Sequence, residues 1–261
     1  MTATSATELT IATRFRGPAR SGNGGYTAGA LAERVETDDD CPVIEVTLRK
    51  PPPLEVAMSV EHLDASDAAD VTGAPATVLS FGGSRIAEAR AVETELEPVE
   101  AVDLGTAADA MAQFPGLVSH PFPTCFSCGV DREEGDGLRI FPGKVSEDRV
   151  AALWVPHESL AVSSDLLDAG LQRVGVPVAW AALDCVGGWA GDLEGRKMVL
   201  GRITATLDAL PVAGEPHVVV GRMTGGSGRK TFTASTLYDS DGRVVARAEH
   251  VWIEIDPDAF N

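Results

Sequence analysis

The longest apolar stretch of the chain runs from Pro177 to Gly191 (PVAWAALDCVGGWAG). It is apolar on almost every side, which is typical of a helix that is buried all round. One carboxylate, Asp184, stands in its middle. Because an unpaired buried charge is costly, Asp184 must find hydrogen-bond donors or keep its proton. The pattern therefore predicts a core helix that carries a chemically reactive carboxylate.

Alternation of apolar and polar residues, the period of a half-buried strand, recurs along the chain. The predicted strands are 8–16, 43–48, 54–62, 75–94 with a turn at Gly82-Gly83, 138–141, 149–155, 198–209, 217–224, 229–238 and 243–255. A second helix is predicted over Tyr26–Val35, with Asn23 as its N-cap. Gly24 and Gly25 follow the cap and leave the first-turn N–H groups uncovered by side chains.

The two halves of the chain repeat the same order of elements. VIEVTLRKPPPLEVAMSV lies over RITATLDALPVAGEPHVVV, and FGGSRIAEARAVE lies over YDSDGRVVARAEHVWIE. Each half has one helix that can cover the apolar face of its strands. We therefore predict an N-terminal unit over 1–95, a linker over 96–136 and a C-terminal unit over 137–261.

This repeat resembles the double hotdog fold of acyl-CoA thioesterases, an α+β fold in which two long buried helices are each wrapped by an antiparallel β-sheet and the sheets join into one. NGGYTAGALA looks like the Gly-Gly helix start of hotdog thioesterases, and SGRKTFTASTLYDSDGRVVARAE looks like their last hairpin. The linker segment HPFPTCFSCG is similar to an insert in an uncharacterised actinobacterial branch.

The nearest type is acyl-CoA thioesterase II, which uses an Asp, a Thr or Ser, and a Gln to orient water. The resemblance of AWAALDC and TATLDAL to that type places Asp184 and Thr206 on its first two positions. Counting along VVARAEH places His250 where the Gln usually stands, which is a departure. Backbone N–H groups at Gly24 and Gly25 would polarise the thioester carbonyl, because a helix start carries partial positive charge.

The charge of the chain limits the classes of molecule that we expect it to bind. The formal net charge is -18 and there is no basic stripe, so nucleic acid and anionic membrane surfaces are excluded as partners. Arg229 and Lys230 follow a glycine-rich loop and are candidates for the phosphates of coenzyme A, with Asn23 as a further substrate-binding residue. The N-terminus lacks the pattern of a signal peptide and no run is long enough to span a membrane, so we expect a cytoplasmic protein.

The four cysteines do not form a disulfide framework. Cys125-x-x-Cys128 has the spacing of half a zinc site, and His120 lies upstream. Because Cys185 belongs to another element and no second pair exists, we expect neither a metal nor another cofactor, but a linker turn packed by Phe122 and Phe126.

The sequence thus favours a hydrolase that cleaves an acyl-CoA thioester, acting as a monomer or homodimer. Two alternatives remain: a non-catalytic protein that binds acyl-CoA or acyl carriers, and a hotdog hydratase. Hydratases of this fold use an Asp and a His close together in one helix-start motif, and the sequence contains no such segment. The repeat also predicts a second, pseudo-equivalent site at Gly187-Gly188. Glu33 of the first helix is a candidate for it, although we expect Glu33 on the solvent side of that helix.

Overall fold

A computed structural model describes residues 7–38, 42–65, 74–162 and 171–256. It contains three α-helices in these ranges: α1 (Gly24–Ala32), α2 (Leu104–Met111) and α3 (Val176–Ala190). The core helix begins and ends within one residue of the prediction. The first helix begins at Gly24 rather than Tyr26, so the two glycines form its first turn.

Thirteen strands lie in the described residues, and eleven of them form one antiparallel sheet. The strands are β1 (Thr7–Thr10), β2 (Ile44–Leu48), β3 (Ala57–Leu63), β4 (Ala76–Phe81), β5 (Ser84–Ala91), β6 (Gly143–Lys144), β7 (Arg149–Trp154), β8 (Ala161–Val162), β9 (Arg173–Val174), β10 (Met198–Leu207), β11 (His217–Ser227), β12 (Lys230–Tyr238) and β13 (Val244–Glu254). Strands β8 and β9 pair separately.

The internal repeat is visible in the strand order of the sheet. The first half runs β1-β3-β4-β5-β2, and the second half continues as β10-β13-β12-β11-β7-β6. The order is the same in both halves when each is read from its outer edge towards the join: β1 corresponds to β7, β3, β4 and β5 to β11, β12 and β13, and β2 to β10. Strand β6 is an additional edge strand of the second half. The halves join where β2 pairs with β10, with Ala205 opposite Ile44.

The two central helices lie side by side on this sheet, and glycines allow their close approach. A Cβ atom on Gly25 would lie 2.5 Å from the Cβ of Asp184, and one on Gly29 would lie 2.7 Å from the Cβ of Trp180. Both distances are shorter than two carbon atoms tolerate. The small residues of α1 therefore set how closely the carboxylate of α3 approaches the start of α1.

The segment predicted as a linker contributes to the core. Phe126 is fully buried and packs edge-on against Phe15 and Tyr26. The buried hydroxyl of Ser127 donates a hydrogen bond to the carbonyl oxygen of Ala181 in α3, at 2.7 Å. We refer to residues 114–141 as the insert. Its middle, residues 125–129, is buried against the two helices, whereas Val118 and its neighbours are exposed.

The strand predicted at 138–141 is absent, which corrects that expectation. The N–H groups of Leu138 and Ile140 donate instead to the carbonyl oxygens of Phe126 and Ser127, within the insert. Their alternating apolar pattern has another cause, because both side chains are buried in the core. None of the helices in the described ranges is long and apolar enough to cross a membrane.

Candidate functional site

The carboxylate of Asp184 meets the first turn of α1. Its Oδ2 atom accepts hydrogen bonds from the Asn23 side-chain amide and from the backbone N–H of Gly25, both at 2.9 Å. Asn23 also caps α1, because its Oδ1 accepts from the N–H of Tyr26 at 2.8 Å. This cap fixes the orientation of the amide and aims its NH₂ group at Asp184. The structure thus brings three predicted site residues together.

The other oxygen of Asp184, Oδ1, is buried and has no hydrogen-bond partner among the described residues. Burial raises the pKa of Asp184 to about 7, and the hydrogen bonds from Gly25 and Asn23 offset only part of this rise. Because its pKa lies near neutrality, the group can take up a proton at physiological pH.

Gly24 is the first residue of α1, and its backbone N–H differs from those that follow it in the first turn. The N–H groups of Gly25 and Tyr26 are taken by Asp184 and Asn23, and that of Thr27 donates to the Asn23 carbonyl oxygen. In the part of the chain that the structure describes, the Gly24 N–H has no acceptor. Of the two predicted carbonyl-polarising groups, only Gly24 is therefore available, because Gly25 is engaged by the carboxylate.

Three cysteines lie beside this carboxylate. The Sγ atoms of Cys125, Cys128 and Cys185 all lie within 4.8 Å of one another, and all three side chains are buried. Cys125 and Cys185 are 3.6 Å apart, and the Asn23 amide lies 3.7 Å from the Cys125 sulfur. Hydrogen bonds from the Cys128 and Cys185 thiols hold the pKa of the Cys125 thiol well below its usual value.

The proximity of Cys185 to the Cys-x-x-Cys pair was not predicted from the sequence. Sixty residues separate Cys125 from Cys185, and only the path of the insert over α3 joins them. The one signal in the sequence was that Cys185 directly follows Asp184. Because Cys185 is adjacent to Asp184 on a helix that is buried all round, its side chain is also buried close to the site.

Asp184 and the cysteines line a cavity of about 300 Å³. Its walls are mainly apolar and come from the start of α1, the ends of β2 and β13, the start of β10 and the insert. They include Gly24, Leu48, Phe122, Leu193, Met198, Leu200, Trp252 and Ile253. Its rim carries three basic residues, Arg49, Lys50 and Arg229.

The basic rim differs in part from the predicted one. Arg229 lines the cavity and donates to the carbonyl oxygen of Glu254. Lys230, its neighbour in sequence, is exposed at the start of β12 and does not line the cavity. Of the predicted pair, only Arg229, in the turn before β12, therefore contributes a charge to this cavity. Lys50, which the sequence analysis did not single out, donates to the Ser84 hydroxyl at 2.8 Å.

The structure does not bring Thr206 to Asp184. Thr206 lies near the end of β10, whereas residues 198–201 at the start of this strand line the Asp184 cavity. Six residues of strand separate it from Leu200, roughly 20 Å. Thr206 instead lines a second cavity of about 370 Å³ with Glu33 and Trp180.

His250 also lies apart from the carboxylate. It is buried between the sheet and α3, where its Nδ1 contacts the Thr233 hydroxyl at 3.1 Å. A Cβ atom on Gly187 would lie 2.8 Å from this ring, so Gly187 makes room for the histidine. Burial lowers the pKa of His250 to about 4, which keeps the ring neutral. These contacts describe a packed core histidine.

The pseudo-equivalent site at Gly187-Gly188 does not have the geometry of a helix start. Both glycines lie inside α3, where Gly188 makes room for the Trp252 ring. Their N–H groups belong to the helix interior rather than to a free first turn. Glu33 is exposed, as expected, and partial desolvation of its carboxylate raises its pKa. The second cavity thus contains a carboxylate, that of Glu33, but neither of the two glycines lines it.

Solved structures with similar folds cover almost the whole chain. An acyl-CoA thioesterase II, TesB2, from Mycobacterium marinum is 12% identical, covers 100% of this chain and 96% of its own, and has a TM-score of 0.56. The tesB protein of Mycobacterium avium subs paratuberculosis is 12% identical over 92% and 89% of the two chains, with a TM-score of 0.56. A conserved protein of unknown function with a hot dog fold from Alicyclobacillus acidocaldarius is 11% identical over 98% and 96%, with a TM-score of 0.54.

These similarities confirm the predicted hotdog fold over the length of the chain. At this level of identity they establish the fold alone. No family model matches the sequence, and no curated protein matches it.

Proposed function

We propose that the protein hydrolyses an acyl-CoA thioester, with Asp184 as the general base. One observation supports this most strongly: Asp184, whose Oδ1 has no partner among the described residues, and Gly24, whose N–H is available, line the same cavity. A group that can take a proton next to a helix start that can hold an oxyanion is the pair that thioester hydrolysis requires.

In the proposed reaction, Asp184 Oδ1 takes a proton from a water molecule as the water oxygen attacks the thioester carbonyl carbon. The carbonyl oxygen gains negative charge, which the Gly24 N–H and the α1 dipole stabilise. The tetrahedral intermediate then breaks its C–S bond and releases the CoA thiolate. The proton on Asp184 passes to the thiolate, so the products are a carboxylic acid and free CoA.

Asn23 and Gly25 act as positioning residues in this scheme. They hold Oδ2 through two hydrogen bonds, which leaves Oδ1 as the basic atom. The apolar walls of the cavity suit an acyl chain, and Arg49, Lys50 and Arg229 on the rim suit the phosphates of CoA. The roles first assigned to Thr206 and His250 have no support in the geometry, and we do not include them.

The residues that line this cavity argue against the hydratase alternative. No histidine lines this cavity in the described ranges of the chain. A hydratase mechanism that pairs an Asp with a His therefore has no second group at this site, whereas hydrolysis needs only the carboxylate and an oxyanion donor.

The experiment is to incubate the purified chain with acyl-CoA thioesters of increasing chain length and to quantify free CoA by chromatography. Binding of a non-hydrolysable thioether analogue is measured in parallel by calorimetry. We expect release at least about 10³-fold above the uncatalysed rate for the preferred chain length. Binding of the analogue without release of CoA would contradict hydrolysis and indicate a binding protein.

A further inference from the structure

We propose that Cys125, Cys128 and Cys185 bind one Zn²⁺ ion, with the fourth coordination position facing the cavity. The inference goes beyond the proposed function and does not rest on it, because a metal can bind here whether or not the chain hydrolyses a thioester.

The spacing of the three sulfurs fits a tetrahedral site. Zinc–sulfur bonds of about 2.3 Å place two tetrahedral ligands about 3.8 Å apart. Cys125 and Cys185 are 3.6 Å apart, and all three sulfurs lie within 4.8 Å of one another. Small rotations of the side chains would bring the three sulfurs around one ion without moving the backbone.

The ligands come from two elements that are already fixed in place. Cys125 and Cys128 lie in one tight turn of the insert, where the N–H of Gly129 donates to the carbonyl oxygen of Cys125 at 2.8 Å. Cys185 projects from α3, and Ser127, between the first two cysteines, bonds the Ala181 carbonyl on the same helix. The fold therefore holds both ligand-bearing elements in place, and only the cysteine side chains have to rotate.

The surroundings of the sulfurs resemble the outer shell of a thiolate site. The side-chain amide of Asn23 lies 3.7 Å from the Cys125 sulfur and can donate to it. The Nε1–H of Trp189, on the same helix as Cys185, is buried without an acceptor among the described residues. Such donors offset the charge of metal-bound sulfur.

A three-thiolate set selects a soft metal. Thiolates favour zinc over calcium or magnesium, which take oxygen ligands. His120 is not the fourth ligand, because its Nδ1 accepts from the N–H of Phe122 and its Nε2 contacts the carbonyl oxygen of Cys128. All three cysteines line the cavity, so a water molecule from the cavity can complete the coordination.

The test is the zinc content of the full chain, purified without chelator under reducing, oxygen-free conditions and measured by mass spectrometry of the elements. We expect about one zinc per chain, falling below about one tenth in Cys185→Ser. Cys41→Ser is the matched control: Cys41, the remaining cysteine, lies outside the described residues, and its variant is expected to keep the metal. Equal loss in the control would overturn the assignment.

A second measurement does not depend on how the variants fold. Co²⁺ added to the metal-free wild-type chain is expected to give the near-ultraviolet thiolate-to-cobalt band and the visible bands of a tetrahedral site, and Zn²⁺ should remove both. Wild-type protein without zinc and without the thiolate band would overturn the proposal. So would a Cys125–Cys185 disulfide found by mass spectrometry in protein kept reduced throughout.

Discussion

At the scale of single residues, Gly25 fixes the distance between the carboxylate and the start of α1. A methyl group at this position would lie 2.5 Å from the Asp184 Cβ and 2.7 Å from the Trp180 carbonyl oxygen. Because the second contact is backbone, α1 and α3 would have to separate. The hydrogen bond that holds Oδ2 would then lengthen.

We therefore expect Gly25→Ala to lower the free energy of unfolding by about 3 kcal/mol, the upper end of the range for overpacking. Gly105→Ala is the control, because in α2 its added Cβ meets no backbone atom and only one side-chain oxygen, that of Asp103, at 3.1 Å. Denaturant titration of both variants checks this. A Gly25→Ala variant as stable as the control would contradict the close packing of the helices.

His250 has a predicted effect on stability rather than on catalysis. Its pKa in the folded chain is about 4 because it is buried, whereas an ordinary histidine titrates near 6.5. Between these values the unfolded chain binds a proton that the folded chain does not. Stability is therefore complete above about pH 6.5 and falls as the pH drops towards 4.

This histidine should contribute up to about 3 kcal/mol to the loss of stability across that window. Replacing it in His250→Gln should flatten the dependence of the unfolding free energy on pH, as measured by denaturant titration at a series of pH values. Identical slopes in the variant and the wild type would show that the histidine is not buried as a neutral ring.

At the scale of elements, the insert behaves as part of the core. Phe126 joins it to the 3-10 turn at Thr13–Phe15 and to α1 through two edge-on aromatic contacts. Truncation of a fully buried phenylalanine leaves a cavity and costs about 3–5 kcal/mol.

We expect Phe126→Ala to destabilise the protein by that amount in thermal or denaturant unfolding. Val118→Ala, in the same insert but 92% exposed, should change stability by less than about 0.5 kcal/mol. Similar small effects at both positions would mean that the insert is a surface linker.

The elements were largely predictable, and their long-range neighbours were not. Apolar periodicity located α3 and most strands to within a few residues, because each pattern is set by the burial of its own element. The contact of the insert with both helices was not predicted, because its Gly, Pro and Cys content describes local turns and not the surface against which they pack.

The predicted site residues also differ in how well the sequence could place them. Asn23, Gly24 and Asp184 follow from local features, a cap, a glycine start and a carboxylate in an apolar run. Thr206 was assigned from the resemblance of its strand, and His250 was assigned by counting along the last hairpin. Position along a strand decides which end of the sheet a residue reaches, and Thr206 lies at the wrong end of β10.

At the scale of the whole molecule, a chain with a net charge of -18 places three basic residues on the rim of one cavity. Lys50 makes no ion pair with a carboxylate among the described residues. A cation at the mouth of an otherwise acidic protein attracts an anionic ligand such as CoA, and salt screens this attraction.

Lys50→Gln should raise KM for acyl-CoA about 3- to 10-fold with little change in kcat, since one surface charge contributes on the order of 1 kcal/mol. The effect should shrink as salt is added. The matched control is Lys144→Gln, which removes the same charge from an exposed position in β6. Steady-state kinetics at two ionic strengths measure both, and equal KM values for the two variants would remove Lys50 from the binding site.

The central claim is that Asp184 acts chemically, and its most direct test is the kcat/KM of Asp184→Asn on the preferred acyl-CoA. Asparagine can still accept hydrogen bonds from Asn23 and Gly25 through its amide oxygen, so the fold should persist by circular dichroism. Asp109→Asn, an exposed change in α2, is the control. We predict a loss of about 10³-fold in Asp184→Asn and none in the control. Full activity in a folded Asp184→Asn variant would contradict the account.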